Sequence, residues 1–506
     1  MITLLALLAA IVLLVSGFIR ARPFGKLGIL AWLQSVALMA PWLIFFGLFA
    51  AGIYLNLVGV LFLLVASTVV YIVLGRQLRT LGQDLTLARR IAAIQEANDT
   101  SDSTAEALEG STPAQAEQAP QQPVPASAAA TQVPEVIPIP AEDLTAIRSI
   151  FGVATFFATE TIPYQDGVIF RGNLRGDLEQ SYQDLSASLR EKLGDRYRLF
   201  LVENQDGKPV VIVLPSTRDP QPLTTAQKAL AVVLMVMTIA ACLESGGLML
   251  GFDLFNAPDR IAQVIPLGGG ILAVLAAHEI GHWLMAQRYT IPLNWPFFIP
   301  TWQIGSFGAI TRFASLLPNR KVLFDIAFAG PAAGGLLSLA MLVTGLLLSH
   351  RGSLFQVPTE FFQGSILVGT LSRIVLRESL QDPIVDVNPL VILGWLGLVI
   401  NALNLLPAGQ LDGGRIVQAI YGRKVAVRTT IGTIIVLGLA SLVNSLALFW
   451  AIVVLFLQRD LERPCLNDLV EADDARAALG LVALFLMITT LLPLTPSLAG
   501  RLGIGG

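Results

Sequence analysis

Charge is scarce in this chain. Of 506 residues only 14% are Asp, Glu, Lys or Arg, while 54% are hydrophobic and the mean hydropathy is +0.69. A soluble fold carries about a quarter charged residues, so the deficit excludes a wholly soluble protein and predicts a polytopic α-helical membrane protein with some soluble sequence. The net charge is −3 and the basic residues are scattered through short loops, a pattern that excludes an electrostatic footprint for nucleic acid. Cysteine is rarer still: Cys242 and Cys465 stand far apart, one in an apolar segment and one in a loop, without C-x-x-C spacing. They imply neither a disulfide framework nor a cysteine metal site.

Histidine is the most informative scarcity. The chain has three, and two of them form His278-Glu279-Ile280-Gly281-His282, an H-E-x-x-H motif inside the apolar run from Ile261 to Leu284. Chance alone would place it there on the order of once in two thousand chains of this composition. On a helix, positions four apart share a face, so both imidazoles can bind one metal ion with the glutamate beside them. Ionisable groups in hydrocarbon are costly unless paired or metal-bound, which makes them functional by default. Zinc with a neighbouring carboxylate activates water near neutral pH, so one zinc ion is expected, with Glu279 as its catalytic base.

The rest of the chain divides by composition. Residues 1–80 read as an N-terminal membrane region of about three spans: an anchor over Met1 to Gly17, then two spans between Leu27 and Gly75 with a turn around Gly52 to Asn56. Arg20, Arg22 and Lys26 follow the first span and Arg76, Arg79, Arg89 and Arg90 the third, which puts both flanks on the cytoplasmic or stromal side. Residues 81–139 read as a disordered acidic linker rich in Pro, Ala and Gln, since no Lys or Arg occurs from Ile91 to Ile147. Residues 140–222 have the composition of a small soluble α/β domain. Leu178, Tyr182, Leu185 and Leu189 recur at helical spacing, a hairpin is expected across Asp206-Gly207, and Gly167 to Phe170 reads as a strand. A docking role for a partner fits it better than catalysis.

Residues 223–506 return to the membrane. Spans are expected near Ala229 to Phe252, Ile261 to Leu284, Val322 to Leu348, Pro389 to Leu406 and Ala477 to Pro493, and Thr429 to Leu457 reads as one long span or a hairpin bent at Asn444-Ser445. Pro292 to Asn319, with four prolines and a glycine cluster, cannot be a regular membrane helix. A re-entrant loop or β-hairpin near the metal is expected, with a short edge strand able to pair with an unwound peptide. Two imidazoles leave zinc one protein ligand short. His350 ends a span and reads as a solvated flank, whereas Asp412 follows a span broken at Pro407. Taken alone, Asp412 reads equally well as a helix N-cap; taken with the paired histidines, it is the favoured third ligand.

These residues carry a resemblance. H-E-x-x-H, Asn404-Leu405-Leu406-Pro407 leading to Leu411-Asp412-Gly413-Gly414, and the small-residue run Ala329-Gly330-Pro331-Ala332-Ala333-Gly334 together resemble the site-2 proteases, intramembrane zinc metalloproteases of peptidase family M50. Gly172-Asn173-Leu174-Arg175 is similar to an element of the plastid and cyanobacterial branch, related to the ethylene-dependent gravitropism-deficient proteins of plants. The resemblance implies a core of about six transmembrane helices, zinc held by His278, His282 and Asp412 toward the cytoplasmic side, and Asn404 contacting substrate backbone or the oxyanion or, equally, bridging packed helices. It implies regulated intramembrane proteolysis of transmembrane protein substrates in the lipid bilayer. A cyanobacterial-type plasma or thylakoid membrane, or a plastid membrane, is the expected location, and the apolar start without a transit peptide favours a cyanobacterial-type, processed or plastid-encoded protein. Two other readings compete: a non-proteolytic zinc carrier or sensor, and an inactive homologue acting as a chaperone or assembly factor.

Overall fold

The computed structural model describes residues 21–50, scattered positions between 14 and 78 outside that stretch, and 139–504 except 165, 205, 302–303, 443–444 and 458–459. The chain forms two units, Met1–Ala130 and Thr131–Gly506. In the first, α1 (Gly25–Ala50) is a 26-residue helix that includes Pro41, at the place expected for the second N-terminal span. The expected anchor over Met1 to Gly17 falls almost wholly outside the described residues, as do the turn at Gly52 to Asn56 and the linker.

The second unit begins with an α/β module. After α2 (Ala141–Arg148), strands β1 (Phe156–Tyr164) and β2 (Gly167–Leu174) lead to α3 (Leu178–Leu193), then β3 (Tyr197–Glu203) and β4 (Pro209–Pro215), in an antiparallel sheet of order β1-β2-β4-β3. Asp177 caps α3 by accepting from the amides of Glu179 and Gln180. Leu185, Leu189 and Leu193, four residues apart on one face of α3, pack with Leu199, Leu201, Val211 and Val213. The run Val210 to Leu214 is apolar without alternation because both faces of the sheet are covered: Phe200, Val202 and Val210 form a second cluster against Leu316 and Leu466 from the membrane core.

Residues 466–468 fasten the module to that core. The Leu201 amide donates to the Leu466 carbonyl at 2.8 Å and the Asp468 amide to the Leu201 carbonyl at 2.9 Å, while the Leu466 and Asn467 amides donate to the carbonyls of Leu317 and Pro318. The exposed edge at β3 is thus paired instead of left open. In the loop that carries this segment, burial pushes the Asp468 carboxyl and the Cys465 thiol up.

The core itself comprises α4 (Thr225–Met249), α5 (Ile261–Arg288), the hairpin β5 (Phe297–Thr301) and β6 (Gly305–Ile310), and α6 (Arg320–Leu348). Beyond them come β7 (Phe355–Pro358), α7 (Ile366–Leu376), β8 (Ile384–Val387), α8 (Pro389–Asn404), α9 (Asp412–Ala440), α10 (Ser445–Leu457), α11 (Asp474–Leu491) and α12 (Pro496–Leu502). Four helices among the described residues have the length and apolar composition to cross a membrane: 225–249, 258–288, 320–348 and 474–491. The irregular Pro292 to Asn319 stretch is the β5–β6 hairpin and its flanks, as its prolines and glycines require. Chain 349–388, a β7–β8 ladder with α7, is an organised cap that apolar periodicity did not predict.

Two interruptions shape the site. At about 1.5 Å per residue α8 is only about 24 Å long, short of an apolar core of about 30 Å. The chain then leaves helical geometry over 405–411 and restarts as α9 at Asp412. This non-helical backbone is largely buried in protein, the condition under which the apolar interior of a bilayer would tolerate it. α9 breaks again at Gly422, with φ +78°, and the buried Arg320 guanidinium donates to the carbonyls of Ala419 and Ile420 that the break frees. The Thr429 to Leu457 block is two helices, α9 and α10, with Leu437, Trp450, Val453 and Val454 in one cluster, which is the hairpin alternative.

Candidate metal centre

His278 and His282 project from one face of α5, and Asp412 opens α9. All three are buried, at 5%, 3% and 7% exposure. The two Nε2 atoms stand 3.1 Å apart, and Asp412 Oδ2 lies 3.2 Å from one and 3.4 Å from the other. Asp412 is not a helix cap: Leu411 occupies that position and the carboxylate makes no capping bond.

The donor chemistry can be read from the partners of the other ring nitrogens. His278 Nδ1 faces Asn401 Oδ1 at 2.9 Å, and the Asn401 amide nitrogen donates to the Gly397 carbonyl at 2.8 Å, so the oxygen is the atom turned to the ring. His282 Nδ1 faces the Ile326 carbonyl at 2.7 Å. Both Nδ1 atoms therefore donate, which leaves both Nε2 lone pairs free. Two lone pairs and a carboxylate oxygen, buried within 3.4 Å of one another, repel unless a metal ion or a proton lies between them. Ligands bound at about 2.0–2.1 Å in a tetrahedron are themselves about 3.3 Å apart, so these donor atoms fit one zinc ion. Glu279 lies beside them: it, His278 and His282 offer ligand atoms within 4.8 Å of each other. Its Oε2 accepts from the Thr311 hydroxyl at 2.7 Å, and Asp412 is the closer match to the tetrahedral spacing.

Glycine makes the cluster possible. A Cβ on Gly281 would sit 2.4 Å from the Ala329 carbonyl, and one on Gly330 would sit 2.2 Å from His282 Nε2. The small-residue run of α6 therefore gives room to the imidazole itself as well as to close helix packing. Asn404 is buried near the hairpin, donating to the Ile400 carbonyl at 3.1 Å and lying 3.5 Å from that of Phe307. His350 is exposed and away from the cluster. Sequence reading missed Asn401, Thr311, Arg415 and Glu462. Only the polar character of Asn401 inside an apolar span was available as a signal.

The family model for peptidase family M50 matches residues 269–445, and a model described as the EGY3 middle domain matches 145–222. A probable zinc metalloprotease EGY1, chloroplastic, of Oryza sativa subsp. japonica is 39% identical over 402 residues, 72% of this chain and 69% of the relative. Its namesake in Arabidopsis thaliana is 39% identical over 396 residues, 70% and 72% of the two chains. The chain belongs to peptidase family M50. This M50 protein is also 33% identical over 375 residues to a probable zinc metallopeptidase EGY3, chloroplastic, of Arabidopsis thaliana, 69% of this chain and 65% of that one. It is a metalloprotease, zinc is its metal, and its apolar helices make this M50 enzyme a membrane protein. No solved structure matches the chain.

Proposed function

We propose that this protease hydrolyses peptide bonds within or near the transmembrane segments of anchored substrates, with His278, His282 and Asp412 as zinc ligands and Glu279 as the catalytic acid–base. The observation that carries this reading is the buried three-donor cluster, in which Asp412 of α9 meets the two histidines of α5, a helix that also carries Glu279 and is apolar enough to lie in a bilayer. Zinc supplies a Lewis acid that lowers the pKa of water and withdraws charge from a carbonyl. Glu279 takes the proton of the attacking water and returns it to the leaving amine. Asn401 and the Ile326 carbonyl hold the two imidazoles in the tautomer and orientation that present Nε2.

The substrate in this reading is a membrane helix that unwinds, because helical peptide bonds are hydrogen-bonded and shielded. The β5–β6 hairpin, whose strand leads directly to Thr311, offers backbone to receive the extended segment. One N–H of the Asn404 amide serves Ile400, and the other makes only a long 3.5 Å contact with the Phe307 carbonyl that substrate backbone or the oxyanion would have to displace. The core would count about six spans, α8 with the part of α9 before the break at Gly422 forming one discontinuous crossing. The soluble module would lie on the cytoplasmic or stromal side, where it can dock a partner, and the chloroplastic relatives support a thylakoid or other plastid-type membrane. The products would leave the membrane, as in regulated intramembrane proteolysis.

The test is cleavage of a model single-span substrate by the detergent-purified protein, with Glu279→Gln and a zinc chelator as controls. Loss of cleavage in both is expected. Cleavage that survives in zinc-bound Glu279→Gln would remove Glu279 from the mechanism.

A further inference from the structure

Arg415 is an unexpected residue at this depth. It lies three positions after Asp412 and is 4% exposed. A buried guanidinium is tolerated where it is paired, and this one is held by a carboxylate, a backbone carbonyl and an aromatic face. Nε donates to Glu462 Oε2 at 3.0 Å, Nη2 is ion-paired with the same oxygen at 2.9 Å, and Nη2 donates to the Thr311 carbonyl at 2.8 Å. Nη1 lies 3.8 Å from Asp412 Oδ1, the carboxylate oxygen turned away from the imidazoles, and the guanidinium carbon sits over the Phe313 ring at 4.9 Å. The residue it grips by the carbonyl, Thr311, donates its own hydroxyl to Glu279 Oε2 at 2.7 Å.

We propose that Arg415 and Thr311 form one positioning device for Glu279: the guanidinium fixes the Thr311 backbone, and the Thr311 hydroxyl holds one oxygen of the Glu279 carboxylate so that the other faces the reacting water. This rests on the assignment of Glu279 as the acid–base. Both are positioning residues in this proposal, acting through Glu279. A carboxylate free to rotate spends part of its time in unproductive orientations, and misplacement of about 1 Å can cost a hundredfold in rate. Lysine cannot replace Arg415, because the device uses a planar fork that reaches Glu462 and Thr311 together.

The experiment measures kcat, KM and bound zinc for the full-length protein in detergent, with the model substrate, in five variants: Thr311→Ser, Thr311→Val, Arg415→Lys, the Thr311→Val/Arg415→Lys double variant and Glu279→Gln. Rates are taken per zinc-loaded, folded molecule. Thr311→Val is expected to lower kcat about tenfold or more, with KM and zinc content within twofold of wild type, since only part of the general acid–base contribution is lost. Thr311→Ser, which keeps the hydroxyl, restores kcat to within about threefold. Arg415→Lys lowers kcat similarly, and the double variant is no slower than the worse single variant, because two parts of one device are not additive. A purely structural role would move KM, zinc content and kcat together and would give multiplying losses. Full activity in Thr311→Val, failure of serine to restore it, or multiplying losses would each overturn the proposal while a dead Glu279→Gln left the acid–base assignment standing. An active Glu279→Gln would overturn both.

Discussion

Replacing Gly330 by alanine tests the geometry of the metal cluster without touching a ligand. The added Cβ would stand 2.2 Å from His282 Nε2 and 2.5 Å from both Cδ2 and Cε1. Ordinary carbon contacts begin near 3.5 Å, so ring or backbone must give by on the order of 1 Å. The ring has nowhere easy to go, being 3% exposed and tied through Nδ1 to the Ile326 carbonyl at 2.7 Å. Zinc bonds tolerate about 0.2 Å, so a displacement of that size detaches one imidazole. Loss of an outer hydrogen bond alone weakens zinc binding about 10- to 100-fold, and loss of a ligand exceeds that. We expect Gly330→Ala to bind zinc at least about 100-fold more weakly, by chelator competition, and to lose cleavage in proportion. Gly335→Ala is the control on the same helix, because its Cβ meets nothing within 4 Å. A Gly330→Ala protein that keeps zinc affinity within threefold of wild type would refute this placement of His282.

Asp412→Ala should lower zinc content measured by elemental analysis, and equal occupancy in variant and wild type would take Asp412 out of the ligand set. Asn401→Ala removes the acceptor that orients His278, so zinc affinity should fall about 10- to 100-fold, and an unchanged value would assign Asn401 to packing alone. Asp468→Pro removes the amide that donates to the Leu201 carbonyl, so limited proteolysis should cut the tether between the module and α4 faster; an unchanged digestion pattern would mean that the clamp does not hold the module. The Tyr197 phenol, buried, donating to Asp143 and facing its negative charge, is pushed up from 10.0 to about 12. Folding favours its neutral form, so this contribution is fully present below pH 10 and is lost as pH rises toward about 12; absorbance titration against Tyr197→Phe should show one late phenol, and its absence would contradict the burial.

Much of the module was legible because its signals are local. Leucines four apart made α3, and Asp206-Gly207 between two apolar runs made the β3–β4 hairpin. β1 was not legible: Phe156 to Tyr164 mixes polar and apolar residues, and its ladder with β2 depends on tertiary pairing. The β7–β8 cap escaped for the same reason, since four-residue strands carry too little pattern to register.

At the metal centre, the H-E-x-x-H spacing alone determined that His278 and His282 share a face with Glu279 beside them, because helical periodicity is a property of a few neighbouring residues. The broken span at Pro407 marked Asp412 by the cost of an unpaired carboxylate in the bilayer. Only the tertiary structure decided how these residues are held. Asn401 lies 123 positions from His278, Ile326 44 from His282, Thr311 32 from Glu279 and Glu462 47 from Arg415. An orienting hydrogen bond needs a partner within about 3 Å, and no local pattern states which distant residue will arrive there.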